Sequence, residues 1–475
     1  MKLPRTEDVW ALWIGLLIFA LSLGNLARLD LLGWAVDARV WVEWSKALGP
    51  TSATYGLPSV AGLALMFGFL LAILSAGARV LGYPAGRFAL GFTLVFWISY
   101  ACWLLGHNAY IAATPRERAD LGISWSLGLT GEAGYIVALI AGLTLGNFFP
   151  RSVAAMQEAV RPEWYIKAAI VVLGGSLGVK AAADTRLTEA ILFRGLAAII
   201  EAYLIYWAVI YFIARKFFGF SREWAAPLAS GISICGVSAA IATGAAIRAR
   251  PIVPIMVSSL VVIFSVVELL VLPFAARAFL VDEPMVASAW MGLAVKTDGA
   301  AVASGQITES LIRTAAEQQG MNIPAGPMLM TTTTVKVFID LFIGVWAFIL
   351  AIIWVYRVDP KPGERVSPLE IWQRLPKFVL GYFLTFAVML YCALNWRDVG
   401  ADLQAASRQG DIFRKLFFVM TFFTIGLVSN FKKLWQEGIG RLALVYAVGL
   451  FGFVIWVGLL ISWLFFQGAH EVFTR

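Results

Sequence analysis

Four charged residues stand in stretches that are otherwise free of charge. In "AWMGLAVKTDGAAVASGQI", Ala289 to Ile307, Lys296 and Asp298 lie two residues apart among glycine, alanine and valine. In "TTTTVKVFID", Thr331 to Asp340, Lys336 and Asp340 lie four apart behind a threonine run. A lysine or aspartate in such company costs roughly 2.5–3.5 kcal/mol to place in hydrocarbon, so it marks a binding site, a proton relay or an ion pair. Two apart on a regular helix, Lys296 and Asp298 point to nearly opposite sides and can meet only if the turn between them is unwound. Four apart, Lys336 and Asp340 share a face, which predicts a structural ion pair for Asp340 and leaves Lys336 nearer a cavity. Glu201 and Glu268 are isolated carboxyl groups in apolar runs. Each is a candidate proton carrier, with a hydrogen-bonded packing residue as the plain alternative.

A third stretch, "GISICGVSAAIATGAAI" from Gly231 to Ile247, is small and polar where its surroundings are bulky. Small residues let helices pack closely. They also let a helix break, so that freed backbone N–H groups and half-helix N-termini face an anion. With the glycine-dotted run around Lys296 as its counterpart, the reading is two helix breaks, near 231–239 and 292–300, meeting within the membrane. The expected substrate site takes backbone amides near Ser233, Cys235, Gly236 and Ser238, together with Lys296, Asp298 and Lys336. Asp298, Glu201 and Glu268 are the candidates for proton coupling.

The chain that must position these groups has 475 residues, 60% hydrophobic and only 14% charged. About a quarter charged is usual for soluble domains, so the chain is an all-α polytopic membrane protein. Thirteen segments are long enough to cross, near 9–25, 57–78, 88–106, 133–149, 165–182, 192–214, 225–247, 252–273, 286–307, 328–356, 375–394, 412–429 and 442–467. The net charge of +8 reads as cationic loops on the cytoplasmic side rather than a nucleic-acid surface. Arg79, Arg87, Arg151, Arg161, Arg215, Lys216, Arg222, Arg357, Lys361, Arg365, Arg374, Lys377, Lys432, Lys433 and Arg441 fall on alternate loops. They place the N-terminus in the cytoplasm, and the odd count places the C-terminus outside. Arg248 and Arg250 fit that series only if 225–247 enters and returns on one side, and 286–307 then re-enters from the other. Crossing and re-entry both remain open at this point.

"LGGSLGVKAAAD" (Leu173–Asp184) echoes "TIGLVSNFKKLW" (Thr424–Trp435), seven places further along the series of segments. That odd number gives the two opposite orientations, as in the inverted repeats of secondary transporters. Lys167 and Lys180 snorkel from span ends, and the tryptophans suit membrane interfaces. No metal site is expected: His107 and His470 sit at segment ends, and Cys102, Cys235 and Cys392 lack ligand spacing. Nothing matches a phosphate-binding loop, a dinucleotide fingerprint or a nucleophile elbow. Neither enzyme activity, ATP-driven pumping nor a cofactor is expected.

These residues resemble the YeiH family of putative sulfate exporters, which is grouped with cation/proton antiporters and bile-acid-type symporters. "ALIAGLTLGNFFP", "WYIKAAIVVLGGSLGVKAAAD", "SGISICGVSAAIA" and "TFFTIGLVSNFKKLWQEG" follow the family's motifs in order. The resemblance covers residues 131–475 as a transporter core and leaves 1–130 as additional membrane segments. Where the family carries H-[DE]-x-A-Q, this chain has Lys296, Thr297, Asp298, Gly299 and Ala300. Where it carries V-K-L-T-R, the chain has Val335 to Ile339, keeping Lys336 and losing an arginine that would bind an oxyanion bidentately.

The resemblance implies a secondary transporter, exporter or exchanger, of a small inorganic or organosulfur anion such as sulfate or sulfite, in a bacterial inner membrane. Protons or sodium would be the coupling ion and a homodimer the assembly, with no nucleic acid as partner. A cation/proton antiporter with Asp298 as carrier and Lys296 as competing charge is the rival within transport. A non-transporting membrane sensor or scaffold is the rival from another class. A channel is disfavoured, since no filter or polar pore stripe is visible.

Overall fold

Hydrocarbon offers no hydrogen bonds, so apolar runs must satisfy their backbone internally and form helices. A computed structural model describes residues 6–360, 366–429 and 440–468. Among the described residues, ten helical stretches are long and apolar enough to cross a membrane, or eleven if one bent pair is counted. The expected thirteen are not reached, for identifiable reasons. The segment at 133–149 ends in a 114° bend, Ala133–Phe148 followed by Pro150–Ala159. The segment at 286–307 is interrupted between Pro284–Ala294 and Asp298–Gln318. The helix Gly400–Val428 carries Asp411, Arg414 and Lys415 into its apolar end. Lys361, Arg365, Lys432, Lys433, His470 and most of the closing motif after Ser429 lie outside the described residues.

The chain forms two compact units. The first comprises Met1–Thr185, Arg313–Asn322 and Lys377–Val428. Here glycine serves close packing of unbroken helices. A side-chain carbon on Gly142 would lie 2.1 Å from the Phe423 carbonyl oxygen, and one on Gly426 2.5 Å from that of Leu139. Carbons on Gly174 and Gly178 would lie 2.4 Å from the carbonyls of Tyr382 and Phe386. Ala133–Phe148 thus meets Gly400–Val428 backbone to backbone, and Pro162–Ala181 meets Lys377–Asn395 in the same way. A short antiparallel pair, Val36–Ala38 with Leu48–Pro50, brings Asp37 to Lys415 at 3.1 Å. Asp8 and Lys167 are paired at 3.6 Å.

The second unit comprises Arg186–Ile312, Ile323–Pro376 and Ser429–Arg475. At its centre the stretch Arg222–Ala246 does not run straight. Its first helix, Arg222–Ser230, widens into a π-helical turn at Gly231–Cys235. The backbone then leaves helical geometry at Cys235 (φ −138°, ψ 82°) and Gly236 (φ 13°, ψ −93°) before Gly236–Ala246 resumes. Glu223 at one end accepts hydrogen bonds from the backbone N–H and Nε of Arg250, just past the other, at 2.7 and 3.0 Å. A straight helix would hold those ends roughly 35–40 Å apart. The segment is therefore a re-entrant hairpin with its tip at Cys235 and Gly236.

The second interrupted segment behaves alike. Thr332 donates a hydrogen bond to the Ser288 carbonyl at 2.7 Å, and a carbon on Gly305 would lie 2.6 Å from Thr332 Oγ1. Residues 288 and 305 on one straight helix would be roughly 25 Å apart. Pro284–Ala294 and Asp298–Gln318 are the two arms of a hairpin whose tip is Val295–Thr297. Between the hairpins runs Ile252–Phe279, long enough to cross, so the hairpins enter from its opposite ends. Glu268, well along this helix, accepts a hydrogen bond from the Lys296 N–H at 3.0 Å. The tips meet near its middle: a carbon on Gly236 would lie 3.2 Å from both the Lys296 carbonyl and Thr297 Cγ2. Re-entry settles the question the sequence left open, and places Arg250 beside the start of its own hairpin.

Candidate functional site

Each hairpin tip exposes two kinds of backbone end. The arms that enter finish with carbonyl groups lacking a next turn, and the arms that return begin with N–H groups lacking a previous one. Lys336, on Pro327–Leu341, serves the carbonyl ends of both tips. Its ammonium donates to the Ile234 carbonyl at 2.9 Å and the Lys296 carbonyl at 3.3 Å. One side chain thereby ties the tips together. Lys296 serves its own arm, donating to the Leu293 carbonyl and resting 4.6 Å above the Tyr206 ring. Thr297 Oγ1 accepts from the Ala300 N–H at 3.3 Å and caps the returning arm.

The carboxyl groups are less well served. Asp298 begins the returning arm. Its Oδ1 accepts from the Cys235 thiol at 2.6 Å and lies 3.7 Å from the Lys336 ammonium. Its Oδ2 and both oxygens of Asp340 make no hydrogen bond with any described residue. The thiol and one oxygen each of Asp298 and Asp340 lie within 4.8 Å of one another. A metal ion could fit that spacing. The Lys336 ammonium already stands against Asp298 and would compete with a cation there. Cys235, Lys296, Asp298, Lys336 and Asp340 are each at most 2% exposed, so nothing here is screened by water.

The structure thus brings together Cys235, Gly236, the Lys296 backbone, Asp298 and Lys336 from the expected set. Ser233 is buried with its hydroxyl unpartnered among described residues, and Ser238 is half-buried on the returning arm. The turn between Lys296 and Asp298 is unwound, as any meeting of the two requires, and they do not pair, because Lys296 turns to Leu293 and Tyr206. One expectation changes. Lys336 pairs with Asp298 instead of hydrogen-bonding Asp340. Asp340, read from its spacing as a structural partner only, belongs to the site. Its helix is anchored by Tyr203, whose hydroxyl donates to the Ile339 carbonyl at 2.6 Å. Glu201 and Glu268 lie elsewhere around the second tip: Glu268 holds the Lys296 N–H, and Glu201 opens the π-helical turn Glu201–Tyr206.

Comparison with known proteins gives a consistent family and no chemistry. The family described as "Conserved hypothetical protein 698" matches residues 126–445. A UPF0324 membrane protein of Nitrosomonas europaea is 40% identical over 474 residues, covering 98% of this chain and 96% of that one. An uncharacterized protein of Archaeoglobus fulgidus is 46% identical over 170 residues, 32% of this chain and 91% of its own. A UPF0324 membrane protein of Nitratidesulfovibrio vulgaris is 27% identical over 391 residues, 79% of this chain and 59% of its own. No solved structure matches.

Proposed function

This chain belongs to the Conserved hypothetical protein 698 family of membrane proteins, and we propose that it is a proton-coupled secondary transporter of a small anion. The observation that carries this reading is the meeting of two re-entrant hairpins, tip to tip, over a carboxyl pair and a lysine. Paired discontinuous segments at mid-depth suit a binding site that can be reached from either side. Sulfate, sulfite or an organosulfur anion is the substrate class that the motif resemblance implies. The basic loops support a bacterial inner membrane with the N-terminus in the cytoplasm. Two re-entrant segments remove two crossings and leave that parity unchanged.

The coupling follows from charge. The returning arms, from Gly236 and from Asp298, point their N-termini at the tips, each worth about half a positive charge. Lys336 adds a full one. With Asp298 and Asp340 both ionised, these charges are answered and an anion is repelled. A proton shared by the carboxyl pair leaves the tips net positive, so anion and proton favour each other's binding by the same factor.

A second reading, cation/proton antiport, is favoured by the unpartnered oxygens of Asp298 and Asp340, where a cation would displace Lys336. Proteoliposomes holding the full chain and a trapped pH dye separate the two. We expect proton movement on addition of sulfate or sulfite, abolished in Asp298→Asn and in Lys336→Met. Proton movement that depends on sodium and ignores the anions supports antiport. No flux of any ion removes both readings and leaves a sensor or scaffold.

A further inference from the structure

Behind the second tip lies a second group of ionisable side chains that the carboxyl pair does not use. Glu268 is fully buried, and only its Oε2 is engaged, by the Lys296 N–H; Oε1 has no described partner. Glu201 is 1% exposed and lies against the Tyr206 hydroxyl, whose proton goes to the Val454 carbonyl at 2.9 Å. Lys296 is the cation that acts on both. The other ionisable groups facing them are Tyr206, against Glu201, and Tyr446 and Lys336, against Glu268.

Charge balance makes this group more than packing. Around the two tips stand Lys296 and Lys336 against Asp298, Asp340, Glu201 and Glu268, every one at most 1% exposed. Lys336 and the half-charges of the two returning arms answer Asp298 and Asp340 when both are ionised. Lys296 is turned away from that pair toward Leu293 and Tyr206, and it answers one of Glu201 and Glu268. Burying the other as an unpaired carboxylate costs many kcal/mol, so a bound proton balances that side of the tip.

We propose that Glu201, Glu268 and Lys296 form a second proton-binding site, separate from the Asp298 and Asp340 pair and independent of whether the chain transports an anion. The two sites are joined by one residue of backbone. The Lys296 N–H is held by Glu268 and its carbonyl by Lys336, so a proton arriving at Glu268 loosens the tip that Lys336 clasps. Proton transfer here makes and breaks only O–H or N–H bonds, and no electrons move.

Infrared difference spectra of the purified full chain in D2O, between acid and alkaline buffer, test this through the carbonyl bands of protonated carboxyl groups. We expect two components: one lost in Asp298→Asn or Asp340→Asn, the other lost in Glu268→Gln and displaced in Glu201→Gln. Lys296→Met should move the titration of the second component alone to higher pH by about 1–3 units, the effect of removing an opposite charge at close range. If all protonated-carboxyl signal disappears with the aspartate variants, or Lys296→Met leaves every component unmoved, there is no second site. Should Glu268→Gln fail to fold, the Lys296→Met shift and the Glu201→Gln displacement decide. Transport assays play no part in this test, so failure of the transport reading leaves it standing.

Discussion

Two glycine strings, "LGGSLG" at 173–178 and "GISICG" at 231–236, look alike and do opposite things. The first stays within the unbroken helix Pro162–Ala181, and the space its glycines leave is filled by carbonyls of Tyr382 and Phe386. The second breaks its helix, and the space at Gly236 is met by a Val261 methyl group and the facing tip. The charges divide in the same way. In the first unit Arg414 is matched by Asp411 through Nε and Nη2, at 2.5 and 3.1 Å, and Lys415 by Asp37. In the second, lysines are spent on carbonyl ends and carboxyl oxygens are left over. Helices that keep their own hydrogen bonds need glycine only for proximity. Broken ones set cations against their loose carbonyls, and Lys336 is shared there with an acid.

The comparison breaks most visibly at Arg414. Replacing it by methionine leaves Asp411 with Lys415 at 3.9 Å and without its bidentate partner. Losing one member of a buried pair typically costs 3–5 kcal/mol. Asp411 is 26% exposed, which places the expected loss near 3 kcal/mol. It would be read as a fall in unfolding midpoint of the detergent-solubilised protein, and Asp411→Leu in the same chain should restore most of it. A midpoint that does not fall would mean that the charges of this unit are no more structural than those at the tips.

A smaller loss is expected at the glycines. Alanine at Gly142 pushes its methyl group against a backbone carbonyl that cannot yield without moving a helix, and overpacking of that kind costs about 1–3 kcal/mol. Alanine at Gly236 meets a methyl group of Val261, a fully buried β-branched side chain whose rotamer is held on its helix. We expect Gly142→Ala and Gly236→Ala to lose stability alike, read as unfolding midpoints, and Gly236→Ala alone to lose anion-dependent proton flux. Loss of flux in both would put glycine at the tip to the same use as in the first unit.

Much of this division is legible in sequence. Dense glycine beside unpaired charge places the breaks near 231–239 and 292–300, and the structure puts them at Cys235–Gly236 and Val295–Thr297. Re-entry is not legible, because Arg222–Ala246 has 25 residues, enough either to cross or to fold back. What decides is the contact of Glu223 with Arg250, 27 residues away. Helical spacing pairs Lys336 with Asp340, since periodicity sees only its own helix. The true partner, Asp298, arrives on another segment. The direction of Lys296 depends on the unwound backbone of Val295–Thr297, for which no periodic rule exists.

The smallest expected effect is the most informative. Asp340 is fully buried and receives no hydrogen bond from Lys336, whose ammonium goes to Ile234, Lys296 and Asp298, so its charge contributes little to holding Lys336 in place. Asparagine has nearly the same shape and removes that charge. Were Asp340 a structural partner in the manner of Asp411, Asp340→Asn would cost several kcal/mol by stranding Lys336. Lys336 keeps its bonds to Ile234, Lys296 and Asp298 whatever stands at 340. Stability should therefore stay within about 0.5 kcal/mol or rise, since an unsatisfied buried charge has been removed. The proton taken up by the carboxyl pair should disappear, because asparagine cannot share it with Asp298. Unfolding midpoints measured at several pH values, beside proton uptake by the same sample, give both quantities. A marked destabilisation with proton uptake intact would make the tips a structural ion-pair cluster like that around Arg414.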